Sequence, residues 1–349
     1  MQYKNILVNA LVNLGDVILT TSAIKLLKKA YPDSRITLLC KGVVRQAVEN
    51  NPVIDEVIVF DYKAKQNSLG KMLDMIKRIK SKHFDLSISF DRKLRPALLC
   101  FLSGIPVRVG PDKVFDDKPS KVTWLYTDVV FIKHDLANTL QAETYQEIIR
   151  GFTGIDGHET PVFADLTDGD FEKAEELLSR LPKKEKRIAL CVKGTFGLKT
   201  WPKEYFSEVV NSLNKKYDAA FFVVGAPNDK TYSDEVIREI GLPLENFCGE
   251  TSLTSLAALL SKVDLFITVD TGATHIAATT GVKMVTMYGC TSPNRWYPYN
   301  DNVRVMSYDP ECCPCSYGEN DCPYAPKPRC LWDVTPGKVL EACFALLEK

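Results

Sequence analysis

Short runs of β-branched and aliphatic residues alternate with segments whose apolar positions recur every three to four residues, the pattern of parallel sheets built from βαβ units. Ile6-Leu7-Val8 predicts a strand. Val17 to Ala30 predicts an amphipathic helix with Val17, Ile18, Ile24 and Leu27 on its apolar face and Pro32 as its stop. Strands are expected at Ile36–Leu39, Val57–Phe60 and Asp85–Phe90, with a short helix from Val43, a basic amphipathic helix over Gly70–Lys82 and a helix over Arg95–Ser103. This half is Rossmann-like.

A second series begins after the charged link Leu181-Pro182-Lys183-Lys184-Glu185-Lys186-Arg187, which has too few apolar residues to enter a core. Strands are expected at Ile188–Val192, Ala220–Val224, Leu265–Val269 and Val285–Tyr288. Helices are expected over Lys203–Lys216, Lys230–Ile240 and Leu253–Leu260, from Thr274, and over Pro336–Leu347. The fold class is therefore α/β with two Rossmann-like domains, residues 1–180 and 181–334, and a terminal helix in 335–349 that is expected to pack back across the hinge. There is no short-period repeat, so a solenoid is not expected.

Composition narrows the function. The 349 residues carry 44 Lys plus Arg and 44 Asp plus Glu, so no global charge excess points to a nucleic-acid partner. No apolar stretch reaches the ~18–20 residues needed to cross a bilayer, and Met1-Gln2-Tyr3-Lys4-Asn5 has no signal-peptide layout. A cytoplasmic location is expected. Locally the balance differs: residues 63–121 hold fourteen Lys and Arg (including Lys63, Lys65, Lys71 and Lys121) against six Asp, an excess of +8. Such a region is either a solvated surface or a positive rim that attracts an anionic acceptor or a phospholipid surface.

Three strand-to-helix corners carry the chemistry. Asn13-Leu14-Gly15-Asp16 follows the first strand, and carboxyl ends of strands are where open α/β sheets bind ligands. Asp16 there either caps the helix or accepts a proton from a substrate hydroxyl. Lys193-Gly194-Thr195-Phe196-Gly197-Leu198-Lys199-Thr200-Trp201-Pro202 follows the first strand of the second domain, and its glycines, hydroxyl and lysines suit a phosphate or diphosphate. Neither the dinucleotide fingerprint nor the P-loop is present, which argues against a nicotinamide dehydrogenase and a P-loop kinase. Asp270-Thr271-Gly272-Ala273-Thr274-His275 is a tight turn into a helix whose free N–H groups make an anion site. His275, one turn in, is either a core histidine or a ligand contact.

The chain resembles heptosyltransferases of glycosyltransferase family 9, which add heptose to the inner core of lipopolysaccharide. The resemblance lies in Gly15-Asp16-Val17-Ile18-Leu19-Thr20-Thr21 with Tyr31-Pro32, in Lys199-Thr200-Trp201-Pro202, and in Asp270 to His275 continuing into Tyr288-Gly289-Cys290-Thr291-Ser292-Pro293. It implies a GT-B architecture, two Rossmann-like domains facing across a cleft, and inverting transfer from an ADP-sugar donor to a lipid-anchored saccharide without a catalytic metal. It implies Asp16 as the base and Lys199 as the stabiliser of the departing diphosphate. Lys193, Thr195, Asp229, Asp270, Thr271, Gly272 and His275 are the donor candidates, and Asn13, Gly15, Arg92, Lys93 and Arg95 the acceptor candidates. Relatives often carry an acidic residue just after the glycine that ends the second strand of the donor domain; here Gly225-Ala226-Pro227-Asn228-Asp229 leaves Asp229 in an open register. The acceptor also implies transient contact with the inner face of the cytoplasmic membrane.

Eleven cysteines are unevenly spread. Cys40, Cys100, Cys191, Cys248, Cys290 and Cys343 sit mostly in apolar segments, as small hydrophobes do. Cys312, Cys315, Cys322 and Cys330 have the spacing C-x2-C-x6-C-x7-C of a four-thiolate structural site for Zn or Fe, with Cys313 left over. Free or partly oxidised thiols are the other reading. Two alternatives to heptose transfer to lipopolysaccharide also stand: a family member with another nucleotide sugar or a protein acceptor, and a non-catalytic nucleotide-sugar-binding module.

Overall fold

The computed structural model describes residues 2–61, 68–308, 311–313, 315 and 322–348. The chain divides into two compact units, residues 1–165 and 166–349.

In the first unit, β1 (Asn5–Asn9), β2 (Arg35–Cys40), β3 (Glu56–Val59), β4 (Leu86–Ser89), β5 (Val107–Pro111) and β6 (Asp128–Val130) form one parallel sheet in the order β3-β2-β1-β4-β5-β6. The helices α1 (Leu14–Ala30), α2 (Ser68–Lys80), α3 (Leu94–Leu102) and α4 (Gln141–Thr153) pack around it. Central strands of a parallel sheet are covered on both faces, so they read as unbroken apolar runs rather than alternations. Ile6, Leu7 and Val8 are accordingly fully buried. The helix α1 ends at Tyr31, just before Pro32, with Lys28 and Lys29 in its last turn, where cations offset the helix dipole.

The second unit repeats the plan. It contains α5 (Asp168–Ser179), β7 (Lys186–Cys191), α6 (Lys203–Lys216), β8 (Ala219–Val223), α7 (Lys230–Ile240), β9 (Glu245–Asn246), α8 (Leu253–Leu260), β10 (Leu265–Val269), α9 (Gly272–Thr280), β11 (Met284–Tyr288), α10 (Pro293–Trp296), β12 (Val303–Ser307), α11 (Arg329–Trp332) and α12 (Pro336–Leu347). Its sheet runs β12-β11-β10-β7-β8-β9, all parallel. Numbered from its own first strand, this is the same 3-2-1-4-5-6 order as the first unit, the doubly wound arrangement. The α/β class with two Rossmann-like units is thus the architecture of the chain.

The boundary between the compact units lies earlier than expected. The division falls at 165/166 rather than 180/181, because α5 belongs to the second unit. Thr167 and Asp170 form a capping box that starts it. Asp170 Oδ1 accepts from the Thr254 hydroxyl at 2.6 Å, and Lys262 pairs with Glu175 at 2.7 Å. Residues up to 165 hold to the first unit instead, where Val162 N–H donates to Thr21 Oγ1 at 2.8 Å and Lys25 pairs with Glu159 at 2.8 Å. The terminal helix α12 contributes to the second unit's own core. Val339, Cys343 and Leu346 are buried in the second unit's core, together with Val210 and Leu213 of α6.

Candidate functional site

At the crossover of a doubly wound sheet the chain leaves two adjacent strands in opposite directions, and the space beyond their carboxyl ends is open to a ligand. In the first unit those strands are β1 and β4, paired from Ile6↔Leu86 to Asn9↔Ser89. The segment after β1 carries Asn13, Gly15 and Asp16; the segment after β4 carries Asp91, Arg92 and Lys93, then Arg95 at the start of α3. The acceptor candidates therefore share one edge.

Asp16 is not the helix cap. Asn13 holds the N-cap position of α1, with no side-chain capping bond, and Asp16 lies inside the first turn. Its Oδ1 accepts a hydrogen bond from the hydroxyl of Tyr145 at 2.8 Å. Tyr145 is fully buried on α4, its ring 5.3 Å from that of Phe90. A buried phenol aimed at a half-buried carboxylate fixes its rotamer. Nothing in the local sequence around Asp16 points to a residue 129 positions away.

The acceptor-side cations are more engaged than expected. Arg92 makes a two-pronged pair with Asp116 at 2.6 and 2.7 Å and also donates to the Lys118 carbonyl at 2.8 Å. It holds the loop after β5 instead of projecting as an unpaired charge. Lys93 Nζ lies 3.2 Å from Asp91 Oδ2. Asp91 is completely buried and was not among the sequence candidates; its position right after a crossover strand was the available signal. Arg95 is exposed. Lys63 and Lys65 of the basic stretch lie outside the described residues.

In the second unit the crossover strands are β7 and β10, paired from Leu265↔Ile188 to Thr268↔Cys191. After β7, a single 3-10 turn over Gly197–Lys199 brings Lys199 back over the sheet edge. Gly194 makes this return feasible, since a methyl there would collide with the backbone and Cβ of Lys199. Lys199 Nζ sits 2.6 Å from Asp270 Oδ2, and the Thr291 hydroxyl donates to the same oxygen at 2.5 Å. The Asp270 side chain is 6% exposed and that of Lys199 18%.

Beside this pair, Thr271 is the N-cap of α9 and accepts from the Ala273 N–H at 3.3 Å. Gly272 opens the helix, so the first-turn N–H groups lie beside the Lys199 ammonium. His275 is buried one turn further on. Burial pushes its pKa down to about 4, with Lys199 acting in the same direction and Asp270 against it, so the ring is neutral at pH 7. Lys193 reaches Asp229 Oδ1 at 3.3 Å after β8. Asp229 also accepts from the Ala226 N–H at 3.0 Å, so it holds its own loop. Thr195 is exposed. The structure thus groups Lys199, Asp270, Thr271, Gly272 and His275 tightly, with Lys193 and Asp229 as a second pair on the same edge.

The cysteine segment is tied to the back of this edge. The Cys315 N–H donates to the Cys290 carbonyl at 2.9 Å, and the Cys290 N–H to the Leu198 carbonyl at 3.3 Å. The Cys313 thiol faces the Gly289 carbonyl at 3.8 Å and also neighbours Cys330, so it is not a bystander. All the cysteines are free, and the six scattered ones are buried as expected of small apolar side chains. Among the described residues no three His, Cys, Asp or Glu side chains gather as a metal-binding group. Cys312, Cys315 and Cys322 all lie near enough to Cys330 to push its thiol pKa up, with burial as the larger cause. A separate cavity of about 380 Å³, lined by Trp201, Pro202, Tyr232 and Trp332 among others, includes Cys322 but none of the donor or acceptor candidates.

The model of glycosyltransferase family 9 (heptosyltransferase) matches residues 72–324. The chain belongs to this family. The match takes in Lys199, Asp270 to His275 and the residues around them; Asp16 precedes it. Similarity to individual family 9 proteins extends further. The chain is 24% identical over 346 residues to lipopolysaccharide heptosyltransferase 2 of Escherichia coli K12, covering 95% of each chain. The crystal structure of a family 9 glycosyltransferase from Veillonella parvula is similar over 100% of this chain and 98% of its own, at 25% identity and a TM-score of 0.86. An E. coli heptosyltransferase solved with ADP shares the fold over 98% of this chain and 99% of its own, with a TM-score of 0.72 at 19% identity. The protein is a glycosyltransferase of the GT-B class, similar to heptosyltransferases of lipopolysaccharide synthesis. No helix among the described residues is long and apolar enough to cross a membrane.

Proposed function

We propose that the chain transfers an L-glycero-D-manno-heptosyl unit from ADP-heptose to an inner-core lipopolysaccharide acceptor, with inversion at the anomeric carbon and without a catalytic metal. The observation that carries this is the Lys199–Asp270 pair at the mouth of α9. A diphosphate seated against the Thr271–Gly272 turn meets N–H groups from the helix start and the ammonium of Lys199, which takes up charge as the glycosidic bond breaks. The chain thereby offers its own cations, Lys199 with Lys193 nearby, for a leaving group that other enzymes neutralise with a metal. Asp270 and Thr291 hold the lysine in place before donor arrives. His275, neutral at pH 7, can donate a hydrogen bond without adding charge.

On the acceptor side, Asp16 takes the proton as the acceptor hydroxyl attacks the anomeric carbon from the face opposite the diphosphate, which is why the product is inverted. Tyr145 orients that carboxylate. The E. coli structure holding ADP supports the adenosine diphosphate half of the donor, and the similarity to lipopolysaccharide heptosyltransferases supports the acceptor. A lipid-anchored acceptor also brings the enzyme to the membrane surface.

The test is turnover with purified ADP-heptose and core-deficient lipopolysaccharide, with and without chelator, reading ADP release and the anomeric configuration of the product. Chelator-insensitive transfer with inversion is expected. In Asp16→Asn, transfer should fall about 100-fold or more with ADP affinity within a few-fold. Transfer only from a different nucleotide sugar, or donor binding without transfer to any acceptor, overturns the assignment.

A further inference from the structure

The helix α3 carries apolar side chains on its exposed side as well as on its buried one. Ala97, Leu99 and Cys100 point into the first unit's core. Leu94, Phe101 and Leu102 form the outer face and are 53%, 42% and 48% exposed, while Leu98 packs against Ala97, Val122 and Leu125. The stripe continues onto Trp124, 68% exposed, whose ring lies 6.4 Å from that of Phe101. On the neighbouring helix α2, Leu69 and Leu73 are exposed one turn apart. Isolated apolar side chains on a surface need no explanation, but a contiguous stripe with an outward tryptophan does.

The charges around this stripe are mostly positive. The helix α2 carries Lys71, Lys77, Arg78 and Lys80 against a single acid, Asp74, and among the described residues none of the four cations is held in an ion pair. Arg95 on α3 and Lys121 beside Trp124 are exposed. The nearby acids Asp91 and Asp116 are already neutralised by Lys93 and Arg92. Aromatic and aliphatic side chains at the level of a row of cations are what an interface of acyl chains and anionic headgroups selects. A protein partner with an acidic apolar face would match the charge, but α3 has no polar residue between Leu98 and Leu102 to make the directional hydrogen bonds of such an interface.

We propose that the outer face of α3, with Trp124 and the basic flank of α2, is the surface on which this protein docks to an anionic phospholipid layer. The location gives the docking a purpose, and here the inference rests on the heptosyltransferase reading. The helix α3 starts directly after Asp91-Arg92-Lys93, at the edge that also carries Asp16. A membrane contact along α3 therefore holds the acceptor edge of the first unit beside the headgroups from which a lipid-anchored saccharide projects.

The test is co-sedimentation of the full chain with phosphatidylcholine vesicles, with and without phosphatidylglycerol, at low and high salt. The parent should bind phosphatidylglycerol-containing vesicles and be released by salt. Each cation near such a surface is worth about fivefold in partitioning. Lys77→Gln/Arg78→Gln/Lys80→Gln should therefore lose binding on the order of 100-fold. Phe101→Ser/Trp124→Ser should lose at least tenfold, with an unchanged melting temperature because both side chains are exposed. Parent protein that ignores the vesicles, or a Phe101→Ser/Trp124→Ser variant that binds like the parent, overturns the proposal. So does light scattering that shows a parent dimer which this variant converts to monomer, since the stripe would then be a self-interface. Transfer to a delipidated, water-soluble acceptor should be the same in parent and variants. Failure of the parent in that assay would refute the heptosyltransferase reading while leaving the vesicle result to be judged separately.

Discussion

The Lys199–Asp270 pair should reveal itself as a structural element and a catalytic one by different routes. At 2.6 Å, with an effective dielectric near 20, the two charges attract by ~6 kcal/mol before desolvation is counted. Removing one partner of such a pair costs about 3–5 kcal/mol when the other charge is left buried. Asp270 is the more buried member and, among the described residues, keeps only the Thr291 hydroxyl as a hydrogen-bond partner of its side chain when the ammonium is gone, so Lys199→Met should cost about 3 kcal/mol. For a unit of this size that is a fall of roughly 6–12 °C in Tm by calorimetry. Asp270→Asn should cost less, about 1 kcal/mol, because the Lys199 side chain can turn toward water. The double variant buries no charge and should recover about 2 kcal/mol relative to the sum of the singles. Transfer should not recover with it. Loss of the lysine removes about 2.7–4 kcal/mol of leaving-group stabilisation, on the order of 100- to 1,000-fold in kcat, and that deficit should persist in the double variant. A double variant as unstable as Lys199→Met, or one whose activity returns with its stability, would refute the reasoning.

Three other perturbations follow from the same geometry. Tyr145→Phe deletes a hydrogen bond to a carboxylate worth about 1.5–3 kcal/mol, so kcat should fall at least tenfold while the KM for the donor stays unchanged; a donor KM that rises in step with the loss would place Tyr145 elsewhere in the mechanism. Gly194→Ala drives a methyl into Lys199 and should lower stability by about 1–3 kcal/mol and weaken ADP binding, measured by titration calorimetry; normal ADP affinity would detach this glycine from the donor site. For His275, the unfolded ring ionises near 6.5 and the folded one near 4. The unfolded chain therefore binds the extra proton between those values, and stability should drop as pH falls below 6.5, by about 1.4 kcal/mol per unit, until the folded pKa is reached. Denaturant titrations of His275→Asn should show that slope removed, with no difference above pH 7.

What could be read from the sequence follows from how each element is buried. Strands such as Ile6-Leu7-Val8 and Leu265 to Val269 lie in the middle of parallel sheets, where both faces are apolar and no alternation dilutes the signal. The helix α4 escaped that reading because its buried face includes Gln141, Thr144 and Gln146, polar residues whose partners appear only in the folded chain. The helix α5 sits in a run of acids with just Ala174, Leu177 and Leu178 buried, and its one legible mark was the capping box from Thr167 to Asp170. The short edge strands β6 and β12 are only partly buried and lack a strong pattern of either period. Missing α5 and assigning its segment to the first domain are one error, since a helix that is not recognised cannot be assigned to the sheet it covers.

The site was legible to the extent that it follows from strand order. Ligand-binding corners of a doubly wound sheet are adjacent in space and identifiable in sequence as the ends of apolar runs, which is why Asp16, Lys199 and Asp270 stand out as candidates. What sharpens each corner is contributed by residues far away in the chain: Tyr145 for Asp16, Thr291 for Asp270, and the Cys290–Leu198 backbone bond behind Lys199. On the proposed reading, these supports would let two units with one topology hold opposite chemistry. The same crossover carries a carboxylate steadied by a neutral hydroxyl in one unit and an ammonium steadied by a buried carboxylate in the other. A base must keep its lone pair available, so its partner is a weak donor; a leaving-group stabiliser must stay cationic beside a helix N-terminus, so its partner is an anion. The distinction lies in the partners and not in the fold, and exchanging the kind of partner should impair either unit while leaving its sheet intact.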